Sequence, residues 1–313
     1  MENYNLLIES ILKNIGKVII GKRGPIEDIL KGILAEGHIL IEDVPGVGKT
    51  TLIKALAKSL NLSFSRIQFT PDLLPSDITG VSIYNQRDME FKFNKGPIFS
   101  NIVLADEINR TSPKTQSALL EAMEEGQISE GNNTYTLEEP FIVLATQNPI
   151  EYEGTFLLPE AQLDRFIIRV SIGYPSMQHE INMMETYRNN RPLDLINTVA
   201  DGKDIIELQK QTREVKVTGD INRYIVDIVN ATRNSSYITL GASPRASLAL
   251  LRVAQATALI SGRSYVIPED VKVNVTLVLS HRILLSSLGK SKGFNEEGIL
   301  EQLINKVAAP KVV

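Results

Sequence analysis

Short apolar runs rich in β-branched residues punctuate the first half of the chain: Ile39-Leu40-Ile41, Ile102-Val103-Leu104-Ala105, Phe141-Ile142-Val143-Leu144-Ala145 and Phe166-Ile167-Ile168-Arg169-Val170. Runs with so little alternation predict strands covered on both faces, because a strand with one face in water would alternate apolar with polar. Between them lie two stretches with helical period. Residues 49–60 carry Leu52, Ile53, Leu56, Ala57 and Leu60 at that spacing. The second helix opens at Ser112 as cap with Pro113 at its first position, carries Leu119, Leu120 and Met123 on one face, and stops at Gly126. Strands alternating with helices predict an α/β fold, a parallel sheet with crossover helices, up to about residue 174.

Two segments depart from this rhythm. Residues 77–96 and 126–140 alternate polar with apolar around Asn, Asp or Gly, as in Ser82-Ile83-Tyr84-Asn85 and Gly131-Asn132-Asn133-Thr134-Tyr135, and both predict β-hairpins inserted into the α/β frame. Residues 188–216 turn polar and lose periodicity, which predicts a connection. Beyond residue 219 the patterns are helical only, at 221–233, 243–260, 268–280 and more weakly 295–307. The expected division is a core over residues 1–190, a linker over 191–218 and a helical lid over 219–313.

Composition narrows the class. A length of 313 residues suits a larger domain with a smaller one. Hydrophobic residues at 43% and charged residues at 22% are ordinary for a globular chain and exclude a disordered one. The absence of cysteine excludes disulfides and thiolate metal sites and points to a cytoplasmic address. Residues 1–14 lack the apolar stretch of a secretory signal. The most apolar later window, 247–260, is interrupted by Arg252 and Gln255 and falls short of the roughly 20 residues of a membrane span. A net charge of -4 disfavours nucleic acid as a partner.

The chemistry begins where the strand at 39–41 meets Asp43-Val44-Pro45-Gly46-Val47-Gly48-Lys49-Thr50, which opens the first helix. Strand, Gly-rich turn, Lys-Thr and helix in this order predict a P-loop. Gly46 and Gly48 let the backbone curl so that successive N–H groups face inward, and the helix aims its positive end at the phosphates of ATP. Lys49 would reach the β- and γ-phosphates and the Thr50 hydroxyl would bind Mg2+. Val44, Pro45, Gly46, Val47, Gly48, Lys49, Thr50 and Thr51 are therefore the candidate nucleotide-binding residues. Asp43 stands where the strict pattern has Gly, which brings a negative charge to the loop's entry and leaves that entry's conformation open.

The second half of the signature is Asp106-Glu107, at the carboxyl end of the strand at 102–105. Open α/β sheets bind ligands at that end. Asp106 suits the water shell of magnesium, and Glu107 suits the general base that deprotonates the attacking water. Without the P-loop the pair would read as a solvated strand end.

Four motifs then carry a family resemblance: Asp106-Glu107-Ile108-Asn109-Arg110, Ala145-Thr146-Gln147-Asn148-Pro149, Leu158-Pro159-Glu160-Ala161-Gln162-Leu163-Asp164-Arg165-Phe166 and Ser243-Pro244-Arg245-Ala246. Together they resemble the MoxR branch of the AAA+ ATPases, in the family's order and over nearly the whole chain. The resemblance implies that Asn148 is the first sensor, holding the lytic water or γ-phosphate; an Asn-Pro turn is the plainer alternative. It implies that Arg165 is an arginine finger acting on a neighbouring subunit's nucleotide, against a local pair with Asp164 or Glu160. It implies that Arg245, in the first turn of a lid helix, is the second sensor contacting the same nucleotide, against an exposed arginine. Val18-Ile19-Ile20-Gly21 resembles the segment packing against adenine, although a buried strand or helix end would look the same.

The two hairpins match inserts that line the central surface of such rings, with surface decoration as the alternative. The resemblance further implies a homo-oligomer, a hexameric ring, acting as a chaperone-like partner of a client or von Willebrand factor A domain protein. An MCM-like DNA motor is a weaker reading, since Lys92 and Lys95 are the only lysines in the first insert and the second has none. A monomeric nucleotide switch is another, but Asn94-Lys95 runs into Gly96-Pro97 rather than a guanine motif.

Overall fold

A computed structural model describes residues 2–87, 89–131, 133–148, 155–188 and 191–310. Asn132 in the second hairpin and Pro149 of the Asn-Pro motif lie outside the described residues. Five strands form one parallel sheet in the order Phe64–Gln68, Ile102–Asp106, Ile142–Gln147, His38–Glu42, Phe166–Val170. Four coincide with the apolar runs. The fifth, Phe64–Gln68, escapes the pattern because only Ile67 in it is fully buried, whereas the other edge strand, Phe166–Val170, is buried at four of its five positions.

The central strands divide their side chains between two cores, one on each face of the sheet. Ile39, Ile41, Ile102, Leu104, Ile142 and Leu144 face one; Leu40, Val103, Ala105, Val143 and Ala145 face the other. Two covered faces explain why these strands read as continuous apolar runs. The helix Lys49–Ser59 follows the first strand. The helix Pro113–Glu125 begins where the Ser112 side chain accepts from the Thr115 N–H and ends at Gly126, left-handed with φ 62°.

Both insertions are antiparallel hairpins, Gly80–Asn85 with Glu90–Lys95 and Gln127–Glu130 with Asn133–Thr136. The first begins later than residue 77, because Pro75–Thr79 form a helical turn. Its base needs glycine: a Cβ on Gly80 would lie 2.2 Å from the Asn94 carbonyl oxygen, and one on Gly96 would lie 2.3 Å from that of Ile78. Phe93 stacks on Tyr135 with ring centroids 4.2 Å apart, so the two hairpins are joined through aromatic packing.

Three expectations change. The polar stretch 188–216 contains the helix Gly202–Glu214, opened by an Asp201 capping box and buried at Ile205, Leu208 and Thr212. Its stripe is narrow, which is why polarity hides it. The region beyond 219 is not helical only, since Ile238–Leu240 pairs with Leu284–Leu285. The helix expected over 268–280 is two, Pro268–Lys272 and Val275–Leu279, parted at Asn274, whose amide donates to the Asp270 carbonyl and the Thr257 hydroxyl. N-terminal helices Glu2–Gly16 and Arg23–Leu34 share one continuous apolar cluster with the sheet and the C-terminal helices. Among the described residues no helix is long and apolar enough to cross a membrane.

His38 ties the start of the sheet to two neighbours. The Val143 N–H donates to its Nδ1 at 3.0 Å, so the neutral ring carries its proton on Nε2, which lies 3.0 Å from the Met123 carbonyl. A proton on Nδ1 would break the first bond. Desolvation lowers the His38 pKa to about 4, and it lowers that of buried His281 well below the usual value. A depressed histidine pKa means that the fold favours the neutral ring. Its contribution is complete above the unfolded value near 6.5 and is lost as pH falls from there towards 4. Urea unfolding between pH 7 and 4 should show stability falling by up to ~1.4 kcal/mol per pH unit for each such histidine, less steeply in His38→Gln. An identical slope in the variant would remove His38 from this account.

Candidate functional site

The strand order brings the carboxyl ends of His38–Glu42, Ile102–Asp106 and Ile142–Gln147 side by side, and a cavity of about 380 Å³ opens there. The loop residues Pro45, Gly46, Gly48, Lys49, Thr50 and Thr51 line it together with Arg66, Asp106, Glu107, Thr146, Gln147 and Asn148. Gly46 and Gly48 have φ of 86° and 91°, where a side chain would be strained, so the two glycines set the curl of the loop.

Asp43 resolves the question of the loop's entry. It is absent from the left-handed positions, and its carboxylate is buried. Its Oδ2 accepts from the Ile172 N–H at 2.5 Å and the Gly173 N–H at 2.8 Å, and its Oδ1 accepts from the Val44 N–H at 3.1 Å. The carboxylate thus bridges the start of the loop and the chain beyond the Phe166–Val170 strand, and the residue pins the loop to the sheet. The Lys49 ammonium rests on the loop itself, donating to the carbonyls of Asp43 at 2.8 Å and Val44 at 3.3 Å. Burial lowers its pKa, against the opposing pull of Asp43, Asp106 and Glu107.

The acidic pair is built around Thr146. Its hydroxyl donates to Asp106 Oδ1 at 2.6 Å and accepts from the Glu107 N–H at 2.8 Å. Asp106 Oδ2 accepts from Arg66 at 2.6 and 3.0 Å. Glu107 Oε2 accepts from Gln68 at 2.7 Å and from Arg110 at 3.1 Å. Glu107 itself is left-handed, φ 58° and ψ 50°, a conformation costly for a residue with a long side chain. Nothing in the local pattern marks Arg66, Gln68 or Thr146 for these contacts; Arg66 and Gln68 sit on the mostly polar strand Phe64–Gln68.

Thr50 and Asp106 offer a hydroxyl and a carboxylate in one cavity. Such hard oxygens suit magnesium, which keeps several waters and takes its remaining ligands from phosphates. Among the described residues no three acidic, His or Cys side chains form a metal cage. The Thr50 hydroxyl and the Asp106 carboxylate fit such an ion.

A second cavity, about 300 Å³, shares Gly46, Gly48 and Thr51 with the first. Val18, Ile19, Ile20 and Val47 give it much of its apolar lining, together with Tyr174 and Tyr187, while Lys22 and Glu180 add charge. The Tyr187 hydroxyl donates to the Val18 carbonyl. Gly21 closes the turn with φ 76°, and a Cβ there would fall 2.1 Å from His179 Nδ1. An apolar slot continuous with the loop has the place and character a base requires.

Arg165 and Arg245 line neither cavity. Both line a third, about 290 Å³, together with Glu124, Asp164, Arg252 and Arg282. Arg165 pairs with Glu124 at 3.0 Å, rather than with Asp164 or Glu160. Arg245, in the first turn of the helix Pro244–Ile260 capped by Ser243, pairs with the same Glu124 at 2.8 Å. Asp164 instead receives buried Arg282 at 2.7 Å and the Ser243 hydroxyl at 2.9 Å, which ties the residue before Arg165 to the helix bearing Arg245.

Comparison with known proteins gives the family and agrees with the fold. The model of the ATPase family associated with various cellular activities matches residues 38–168, and that of the AAA lid domain matches residues 230–303. YeaC of Bacillus subtilis, an uncharacterised protein, is 49% identical over 99% of this chain and 97% of its own. Chaperone MoxR1 of Mycobacterium tuberculosis is 40% identical over 97% of this chain and 83% of its own. A crystal structure of a Cytophaga hutchinsonii protein assigned as an ATPase superimposes with a TM-score of 0.91 at 42% identity, covering 99% of this chain and 96% of that one. With an AAA core, an AAA lid and relatives of this likeness, the chain belongs to the MoxR family of AAA+ ATPases.

Proposed function

We propose that the chain is a magnesium-dependent ATPase that turns over ATP only when identical subunits assemble, as a hexameric ring, and that the cycle drives chaperone-like remodelling of a client protein. One observation carries this reading: the loop, Asp106, Glu107 and Asn148 share one cavity, while Arg165 and Arg245 stand together on another. A subunit so divided has the phosphate cradle and base for its own nucleotide and offers its two cations to a neighbour's.

In this reading the loop amides and Lys49 bind the triphosphate, and Thr50 and Asp106 hold the metal. Bound there, magnesium would supply charge that neutralises the phosphates. Glu107 takes the proton of the attacking water, Asn148 orients that water, and Arg165 with Arg245 of the adjoining subunit meets the charge of the transferring phosphoryl group. The apolar slot behind the loop takes adenine.

The chaperone-like role draws support from a relative named as a chaperone and from the first hairpin, where Ile83, Tyr84, Met89 and Phe91 are exposed. Contiguous exposed apolar residues mark interaction sites. A von Willebrand factor A domain protein is the partner we propose, on the family resemblance. The assembly reading is tested by measuring ATP turnover per subunit across a dilution series with light scattering in parallel. Turnover per subunit should fall on dilution as the large species disappears; a constant rate down to the monomer would end the ring proposal.

A further inference from the structure

Arg165 and Arg245 come from distant parts of the chain and meet on a single carboxylate. Glu124 Oε2 takes the Arg165 guanidinium at 3.0 Å, and Oε1 takes that of Arg245 at 2.8 Å. Each arginine has its own oxygen, which is how two guanidinium groups grip a phosphoryl group. Asp164, in the same cavity, is committed to Arg282 and Ser243, so Glu124 is the anion that receives both. The Arg245 hydrogen bond, and then the charge of Arg165, hold its carboxyl below the usual range.

We propose that Glu124 is a built-in stand-in for a phosphoryl oxyanion: it keeps Arg165 and Arg245 converged in the lone subunit and is displaced by the γ-phosphate of the neighbour's nucleotide on assembly. This rests on the reading of the two arginines as groups that act between subunits. Two guanidinium groups this close repel unless an anion lies between them, and a phosphate from outside must compete with the anion already there. Glu124 is half-exposed, and pairs of that kind are individually weak, so the exchange is reversible. The carboxylate thus orders the pair and also sets a threshold for assembly.

Glu124→Gln keeps the shape and removes the charge. The protein concentration giving half-maximal ATP turnover should then fall by about three- to ten-fold, the range expected when weak competing ion pairs are removed. Glu124→Asp, too short to span both arginines, should lower it by less, and it carries the test if the first variant melts early. A midpoint unchanged or raised in a folded variant overturns the proposal. The underlying reading fails separately, if wild-type turnover ignores protein concentration or Arg165→Ala leaves it intact. If both hold and Glu124→Gln shifts nothing, only the stand-in is lost.

Discussion

Replacing Arg165 with alanine is expected to cut ATP turnover by ~10³-fold or more, the lower end of what an arginine finger contributes, while each subunit still binds nucleotide. The reason lies in where Arg165 sits. It lines a cavity separate from its own phosphate loop and pairs there with Glu124. An arginine acting within its own chain would have to leave Glu124 and cross to the other cavity; one acting on a neighbour need only exchange one anion for another. Complementation separates these cases. Arg165→Ala subunits keep the loop and lack the cation, while Lys49→Ala subunits lack the loop lysine and keep the cation. Mixed, some interfaces pair an intact loop with an intact Arg165, so turnover should rise above that of either variant alone. A mixture as inert as its components, from subunits that demonstrably co-assemble, would mean that Arg165 does not act between chains.

The residues that could be read from sequence are those whose role follows from local pattern. The sheet's buried strands appear as apolar runs because both faces are covered, and Ser112, Pro113 and Gly126 mark a helix because capping is a matter of neighbouring residues. The loop at Gly46, Gly48 and Lys49 is legible for the same reason. What stayed hidden depends on approach through space. Arg66 and Gln68 lie on an edge strand with one fully buried residue, and nothing local shows that they reach across to Asp106 and Glu107. Asp43 reads locally as a charge beside phosphate, and the amides of Ile172 and Gly173 that bind its carboxylate come from a distant part of the chain. Glu124 falls on a helix end like many others, and its meaning comes from two arginines that the fold delivers from residues 165 and 245.

Glu107→Gln should retain ATP and lose its hydrolysis, with turnover reduced by roughly 10²- to 10⁴-fold, the usual contribution of a positioned base. The substitution keeps the side chain's size and its capacity to accept from Gln68 and Arg110, which hold Oε2 at 2.7 and 3.1 Å. It removes the ability to take a proton. Backbone geometry makes this position unusual as well: at φ 58° Glu107 holds a conformation that costs on the order of 1–3 kcal/mol and persists only where surroundings impose it. Here the Thr146 hydroxyl holds it, accepting from the Glu107 N–H while donating to Asp106, so Glu107 and its carboxylate neighbour are set by one side chain. Glutamine inherits the same strain and the same Thr146 contact, so melting temperature should hardly move. Lys49→Ala provides the contrast, because it removes the ammonium poised over the loop and should weaken nucleotide binding. Binding of a fluorescent ATP analogue and phosphate release, measured on the assembled protein, distinguish the two variants. If Glu107→Gln released phosphate at the wild-type rate, another group would have to accept the water's proton, and the strained geometry at residue 107 would need a different explanation.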